Sequence, residues 1–156
     1  MTSRPAPPIL LVEDMSDDVL LLQRAFHRAA LDWPIHVVQD GEAAIAYLAG
    51  SGPYADRTRY PLPALLLLDL KLPRRSGFEV LAWVRRQPGL HRLPVVVLTS
   101  SREPADITRA YDLGANSYLV KPAGADELVD LARTLSHYWL GLSERPTLTD
   151  TRAGPG

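Results

Sequence analysis

Five polar residues stand where apolar runs stop: Glu13 and Asp14 after Ile9–Val12, Asp69 after Ala64–Leu68, Thr99 after Pro94–Leu98, and Lys121 after Ser117–Val120. Brought together, these types define a chemistry. Three neighbouring carboxylates repel one another, by on the order of 1–4 kcal/mol per pair at about 4 Å. The usual remedies are protonation of one acid or capture of a cation. Donors that are all oxygen, with no His or Cys beside them, suit Mg²⁺ or another divalent ion such as Mn²⁺ or Ca²⁺. Taken singly, each residue has an ordinary explanation. Acids favour helix N-termini, most lysines lie on the surface, and a threonine at a strand end can cap a helix. The whole set, in this order and each at a strand end, is not expected by chance.

The elements that must position these residues alternate along the chain. Strands are predicted at Ile9–Val12, Ile35–Val38, Ala64–Leu68, Pro94–Leu98 and Ser117–Val120. The continuous apolar run before Asp69 suits a strand buried on both faces of a parallel sheet. Between them, Val19, Leu22, Phe26 and Ala29 recur at helical spacing behind Ser16, Asp17 and Asp18, three residues suited to a helix start. Further helices are predicted over about 42–49, 78–86, 104–113 and 125–140, with Gly114 as a C-cap. Residues 50–63, with three prolines, form a long loop. Strands alternating with helices give an α/β domain with a parallel sheet. In such open sheets ligands bind at the carboxyl edge, beside the topological switch point. The flavodoxin-like (βα)5 doubly wound order 2-1-3-4-5 makes strands one and three neighbours there, so the acids meet. Strand five would lie about 10 Å from strand three, a gap that a long lysine side chain can mostly cover.

Composition bounds the rest. The chain has 156 residues, 46% apolar and 22% charged, enough for one core. It has no cysteine, which excludes disulfides, thiolate metal sites and a Cys nucleophile. A formal net charge of -1 shows no basic excess for nucleic acid. No apolar run approaches the roughly 20 residues of a membrane span, and Met1–Pro8 lacks the apolar core of a signal peptide. A cytoplasmic protein is expected, with a disordered arm over 1–8, a domain over 9–142 and a disordered tail over 143–156, rich in Pro, Thr and Gly.

With ILLVED, LLLLDLKLPRRSG, VVVLTS and NSYLVKP at the four strand ends, the chain resembles the receiver domains of two-component response regulators. The resemblance spans about Ile9 to Leu140. Pro73 and Gly77 stand four and eight residues after Asp69, as in the family pattern. It implies that Asp69 is the phosphoacceptor, taking a phosphoryl group from a histidine kinase to form an acyl phosphate. Asp14, Asp69 and the backbone carbonyl of Lys71 would ligate Mg²⁺, and Glu13 would hold it through water. Lys121 and the Thr99 hydroxyl would grip the phosphoryl oxygens, and the Lys121–Pro122 peptide would be cis. Tyr118 would be the switch aromatic that turns inward as Thr99 moves, with Ser100 small enough to leave room. Phosphoryl transfer needs in-line positioning and charge neutralisation more than covalent help from the protein, which this residue set can supply.

Three features are less typical. Lys71, Arg74 and Arg75 make the acceptor loop basic, which suits an anionic phosphodonor, an acidic partner surface or a plain solvated loop. The long 50–63 loop and the ending His137-Tyr138-Trp139-Leu140-Gly141-Leu142 are similar to the small regulators paired with phytochrome-type sensor kinases, so a bacteriophytochrome is the expected kinase. The apolar ending would pack on a second subunit, giving a homodimer through strand five, the last helices and the C-terminal extension, or fold back on its own domain. Trp33 and Trp83 fit ordinary packing. No output domain is expected after Leu140, so signalling would run through protein binding or a relay.

Other readings fare worse. An aspartate-nucleophile phosphatase wants a second Asp two residues after the nucleophile, where this chain has Lys71. A nucleotide or flavin binder wants a Gly-rich turn after strand one, where Glu13-Asp14-Met15-Ser16 stand. A degenerate interaction module would lack part of the site set, and none is missing. The expectation is therefore a switch protein rather than an enzyme, catalysing only its own phosphorylation and slow dephosphorylation.

Overall fold

A computed structural model describes residues 6–153. Its elements are β1 (Ile9–Val12), α1 (Ser16–Arg28), β2 (Ile35–Val38), α2 (Gly41–Ala49), β3 (Leu65–Leu68), α3 (Gly77–Arg86), β4 (Val95–Thr99), α4 (Pro104–Asp112), β5 (Ser117–Val120) and α5 (Ala125–Leu135). The five strands are all parallel, in the order β2-β1-β3-β4-β5. Every residue of β1, β3 and β4 is buried, as strands covered on both faces must be. The outer strands β2 and β5 are only half-buried over most of their length.

Alternation of side chains sorts the core into two layers. Leu10, Val12, Leu66, Leu68, Val95 and Val97 pack with α2 and α3 through Ala44, Leu48, Val80, Leu81 and Val84. Ile9, Leu11, Leu65, Leu67, Val96 and Leu98 pack with α1 and α5 through Leu22, Phe26, Val129 and Ala132. Trp83 and Trp33 lie partly buried against the first and second layers respectively.

Register sets the site. Val12 pairs with Leu68, and Leu68 with Val97, so the chain leaves β1 and β3 at one level. The Asp69 amide donates to the Val12 carbonyl at 3.1 Å, and the Lys121 amide to the Thr99 carbonyl at 2.8 Å. Two caps fix nearby helices: the Asp40 carboxylate accepts from the Ala43 amide at 2.7 Å, and the Ser76 hydroxyl from the Glu79 amide at 3.3 Å. Gly77 is required by a close approach. A Cβ there would run into the Asp69 carbonyl and the Leu70 Cα, both backbone atoms.

The structure departs from the sequence expectations in several places. Thr99 is the last residue of β4 rather than the one after it. The last helix does not run unbroken to Leu140: α5 ends at Leu135, and Ser136–Leu142 continue as a π-helical segment. The Ser143 amide there donates five residues back, to the Tyr138 carbonyl at 2.7 Å. The 50–63 loop is tightly held. Tyr47, Tyr54 and Tyr60 pack against one another at ring separations of 5.1–5.8 Å, and the Arg57 guanidinium donates to carbonyls in the last turn of α2, on Tyr47 and Leu48, at 2.7 Å each.

Composition predicts disorder from residue 143, and among the described residues 143–153 make contacts with the domain. The segment runs back across the domain. Leu148 packs against the first core layer, the Thr149 amide donates to the Gly89 carbonyl at 2.8 Å, and Asp150 pairs with Arg57 at 3.0 Å. Arg152 donates to the Gly50 and Ala55 carbonyls at 3.1 and 2.9 Å. These contacts are made by Leu148, Thr149, Asp150 and Arg152, in a segment otherwise rich in Pro, Thr and Gly. Of the arm expected over 1–8, residues 1–5 lie outside the described residues, and the Pro8 carbonyl accepts from the Ala64 amide at 2.9 Å.

A carboxylate and lysine cluster at the sheet edge

Glu13, Asp14 and Asp69 meet at the carboxyl edge of β1 and β3, with one oxygen of each within 4.8 Å of the others. Glu13 and Asp69 are buried, at 2% and 7% exposure, and Asp14 is the most open of the three. The Asp69 Oδ1 accepts from the Leu70 amide at 2.7 Å, which aims the carboxylate, and Glu13 Oε1 accepts from the Met15 amide at 3.0 Å. The donor set is oxygen alone, in a partly buried acidic trio. That fits a hard divalent cation and not a soft or thiophilic one.

Lys121 reaches the cluster from β5. Its Nζ donates to Glu13 Oε2 at 2.6 Å, Asp18 Oδ2 at 2.9 Å and Asp69 Oδ2 at 3.1 Å. The electrostatics follow from this crowding. Burial pushes the Glu13 carboxyl up to about 7, only partly opposed by the hydrogen bonds from Lys121 and the Met15 amide. Burial would raise Asp69 as well, but the Lys121 charge, aided by hydrogen bonds from Lys121, Thr99 and Glu13, holds it below the usual carboxylate range. Burial would lower Lys121, and its bonds to Asp18, Glu13 and Asp69 instead push it well above its ordinary value. The crowding thus leaves one acid with raised proton affinity, one held ionised and one fixed cation.

The remaining residues named from the sequence lie around this centre. Thr99 is buried at the end of β4, and its hydroxyl accepts from the Ser101 amide at 3.5 Å. Ser100 is exposed beside it. Tyr118 Oη donates to the Ser101 carbonyl at 3.0 Å, so the aromatic ring is tied to the loop after β4. Lys71 is exposed, with its amide 3.4 Å from Asp69 Oδ1. Arg74, at φ 67°, turns the acceptor loop and lies 3.7 Å from Glu42. The cis peptide expected at Lys121–Pro122 is not present: no cis bond occurs among the described residues.

Two residues escaped the sequence reading. In the sequence Asp18 has the place of a helix-start acid, yet its carboxylate accepts from Lys121. Ser101 is the second: its hydroxyl donates to Asp106 at 2.6 Å and accepts from the Glu103 amide at 3.3 Å, which starts α4 beside Thr99.

Comparison with known proteins agrees with this geometry. The response regulator receiver domain family matches residues 9–133. Response regulator Rcp1 of Synechocystis sp. is 39% identical over 138 residues, covering 88% of this chain and 92% of that protein. The crystal structure of the phosphorylated cyanobacterial phytochrome response regulator RcpA shares 38% identity at a TM-score of 0.83, over 91% of this chain and 99% of that one. The Mn²⁺-bound form of Rcp1 shares 38% identity at a TM-score of 0.80, over 90% of this chain and 99% of that one.

Proposed function

The chain belongs to the response regulator receiver family, and from that premise we propose that it is a phosphorylation switch taking a phosphoryl group on Asp69 from a histidine kinase of the phytochrome type. The observation that carries this is the placement of Asp69: ionised, aimed by the Leu70 amide, and 3.1 Å from the Lys121 ammonium at the mouth of the sheet.

An Asp69 oxygen attacks phosphorus as the bond from phosphorus to the kinase histidine nitrogen breaks. The imidazole leaves with that electron pair and takes a proton from solvent. Lys121 and the Thr99 hydroxyl donate to the phosphoryl oxygens. Asp14, Asp69 and the Lys71 carbonyl would hold a divalent cation, Mg²⁺ or Mn²⁺, with Glu13 reaching it through water. Such a cation supplies neutralisation of the charge gathered on the phosphoryl oxygens. Tyr118 and the small Ser100 then carry the change outward, since Tyr118 is bound to the loop that follows Thr99. Beyond its own phosphorylation and slow dephosphorylation no catalysis is assigned.

The kinase class rests on likeness to the phytochrome response regulators, and a bacteriophytochrome is the partner proposed. A cytoplasmic location follows from that partnership. Among the described residues no helix is long and apolar enough to cross a membrane. A homodimer through β5, α5 and the π-helical extension is supported by the exposure of Tyr138 and Leu142, at 51% and 64%. Trp139 and Leu140 in the same segment pack partly on their own domain, so Tyr138 and Leu142 would carry the contact.

The deciding experiment treats the protein with acetyl phosphate, with and without Mg²⁺, beside Asp69→Asn, and reads intact mass. A Mg²⁺-dependent phosphoryl adduct absent from Asp69→Asn is expected. No adduct under any condition would sink the proposal.

A further inference from the structure

Lys121 carries three N–H donors, and three carboxylates take them: Glu13, Asp18 and Asp69. Two of these acids also belong to the trio that fits a cation, and Asp18 does not. Asp18 differs in placement as well. It sits in the first turn of α1 with its side chain 38% exposed, against 3% for Glu13 and 8% for Asp69. A divalent cation among Glu13, Asp14 and Asp69 would draw two of the lysine's partners to itself and repel the ammonium a few ångströms away. Asp18 is the partner with no competing claim.

We propose that Asp18 is a positioning residue for Lys121, keeping the ammonium paired and at the sheet edge once Glu13 and Asp69 turn to a cation. The inference deepens the phosphoacceptor reading and rests on it. An acid in the first turn of a helix also has a purely local use, stabilising the helix start. Asp17 has the same opportunity, but the lysine bonds Asp18. Without Asp18, the incoming cation faces an ammonium that has nowhere to go. Cation binding then weakens, although no ligand has been touched.

The test is a double-mutant cycle on the full chain, with Mg²⁺ affinity measured by calorimetry at pH 8. Asp18→Asn is expected to weaken Mg²⁺ by about three- to tenfold, and Asp18→Glu to stay within about twofold of the parent. In a Lys121→Met background, Asp18→Asn should change the affinity by less than about twofold, since no ammonium remains to be held. Equal weakening in both backgrounds would show the Asp18 charge acting on the cation directly, and would overturn the proposal. Loss of thermal stability in Asp18→Asn with unchanged Mg²⁺ affinity would overturn it too, leaving a helix-start residue. Because the readout is cation binding, it is separate from the acetyl phosphate experiment. A failed adduct with an intact cycle removes the phosphoacceptor reading alone, and a formed adduct with an additive cycle removes only the role of Asp18.

Discussion

Tyr118 Oη donates to the Ser101 carbonyl at 3.0 Å, joining β5 to the loop that leaves β4 two residues after Thr99. The same Ser101 fixes the start of α4 through Asp106 and the Glu103 amide. Under the proposed switch, a displacement of Thr99 would reach the aromatic ring and the start of α4 through these bonds, the kind of local-to-global link a charge switch needs. Burial raises the Tyr118 hydroxyl above its ordinary value, so it stays a donor through the physiological range. Tyr118→Phe removes one neutral hydrogen bond and should cost about 0.5–1.5 kcal/mol in urea denaturation. It should also loosen the loop: amide exchange over residues 100–106 is expected to rise in the variant without phosphorylation. Unchanged exchange there would separate Tyr118 from the switch.

Glu13 gives the protein a pH signature. Its folded value of about 7 lies above the unfolded 4.5, so the folded state binds the proton more tightly. The associated stability is fully present below about pH 4.5 and is lost as pH rises through about 7, by up to about 3 kcal/mol. Asp69, held below its ordinary value, acts the other way in a lower window, losing its contribution as pH falls below about 4. Metal-free protein should therefore unfold at lower urea at pH 8 than at pH 5.5, and Glu13→Gln should flatten that difference. Because a cation favours the ionised acid, Mg²⁺ affinity should climb with pH up to about 7–8 and then level. A flat affinity between pH 5.5 and 8 would contradict the assignment of Glu13.

Lys121→Met tests the same balance from the cationic side. The change leaves Glu13 and Asp69 buried and close with no ammonium between them. Removing one member of a buried pair is costly because the other charge stays behind; here proton uptake by Glu13 relieves part of it. A loss of about 1–3 kcal/mol is expected at pH 8 without metal, with a smaller loss at pH 5.5. Added Mg²⁺ should restore much of the difference, and urea denaturation with and without Mg²⁺ checks this.

What the residues disclosed and what they hid divide along physical lines. The strands β1, β3 and β4 and the acids after them are legible because buried strands are apolar throughout and stop abruptly at polar residues. The strand order follows instead from the alternating pattern and its flavodoxin-like arrangement. The bond from Lys121 to Asp18 spans 103 residues and leaves no periodic trace, so Asp18 read only as a helix-start acid. In the tail, composition counts Pro, Thr and Gly and carries no sign that Asp150 finds Arg57. The π-helical step at Ser136 breaks no hydrophobic pattern, since Trp139 and Leu140 still face the core layer. The cis peptide was an expectation of family likeness alone, and no feature of this chain's own residues had pointed to it.

Gly77→Ala probes how closely α3 must approach the acceptor. A methyl group there meets the carbonyl of Asp69 and the Cα of Leu70, neither of which can swing aside as a side chain could. The Gly77 amide also donates to the Leu70 carbonyl at 2.9 Å, so the helix start and the acceptor turn would separate together. Overpacking of this kind costs about 1–3 kcal/mol, and the loss should appear as a lower urea midpoint.

Deleting residues 144–156 asks whether the returning tail belongs to the folded domain. Asp150 lies between two guanidiniums, and the Arg152 hydrogen bonds, followed by those from Arg57, hold its carboxyl well below the ordinary range. Arg57 in turn closes the last carbonyls of α2, so the tail bears on that helix indirectly. Leu148 adds an apolar contact to the first core layer. The truncated protein is expected to lose about 1–3 kcal/mol, most of it from Leu148 burial, since ion pairs open to water contribute little. Asp150→Asn alone should therefore cost under about 1 kcal/mol, and Leu148→Ala more. The whole effect should stay at the end of the sheet opposite Asp69, leaving Mg²⁺ affinity unchanged. A truncation that altered Mg²⁺ binding would show that the tail reaches the site through the core, and would refute this division of the molecule into an anchored end and a reacting end.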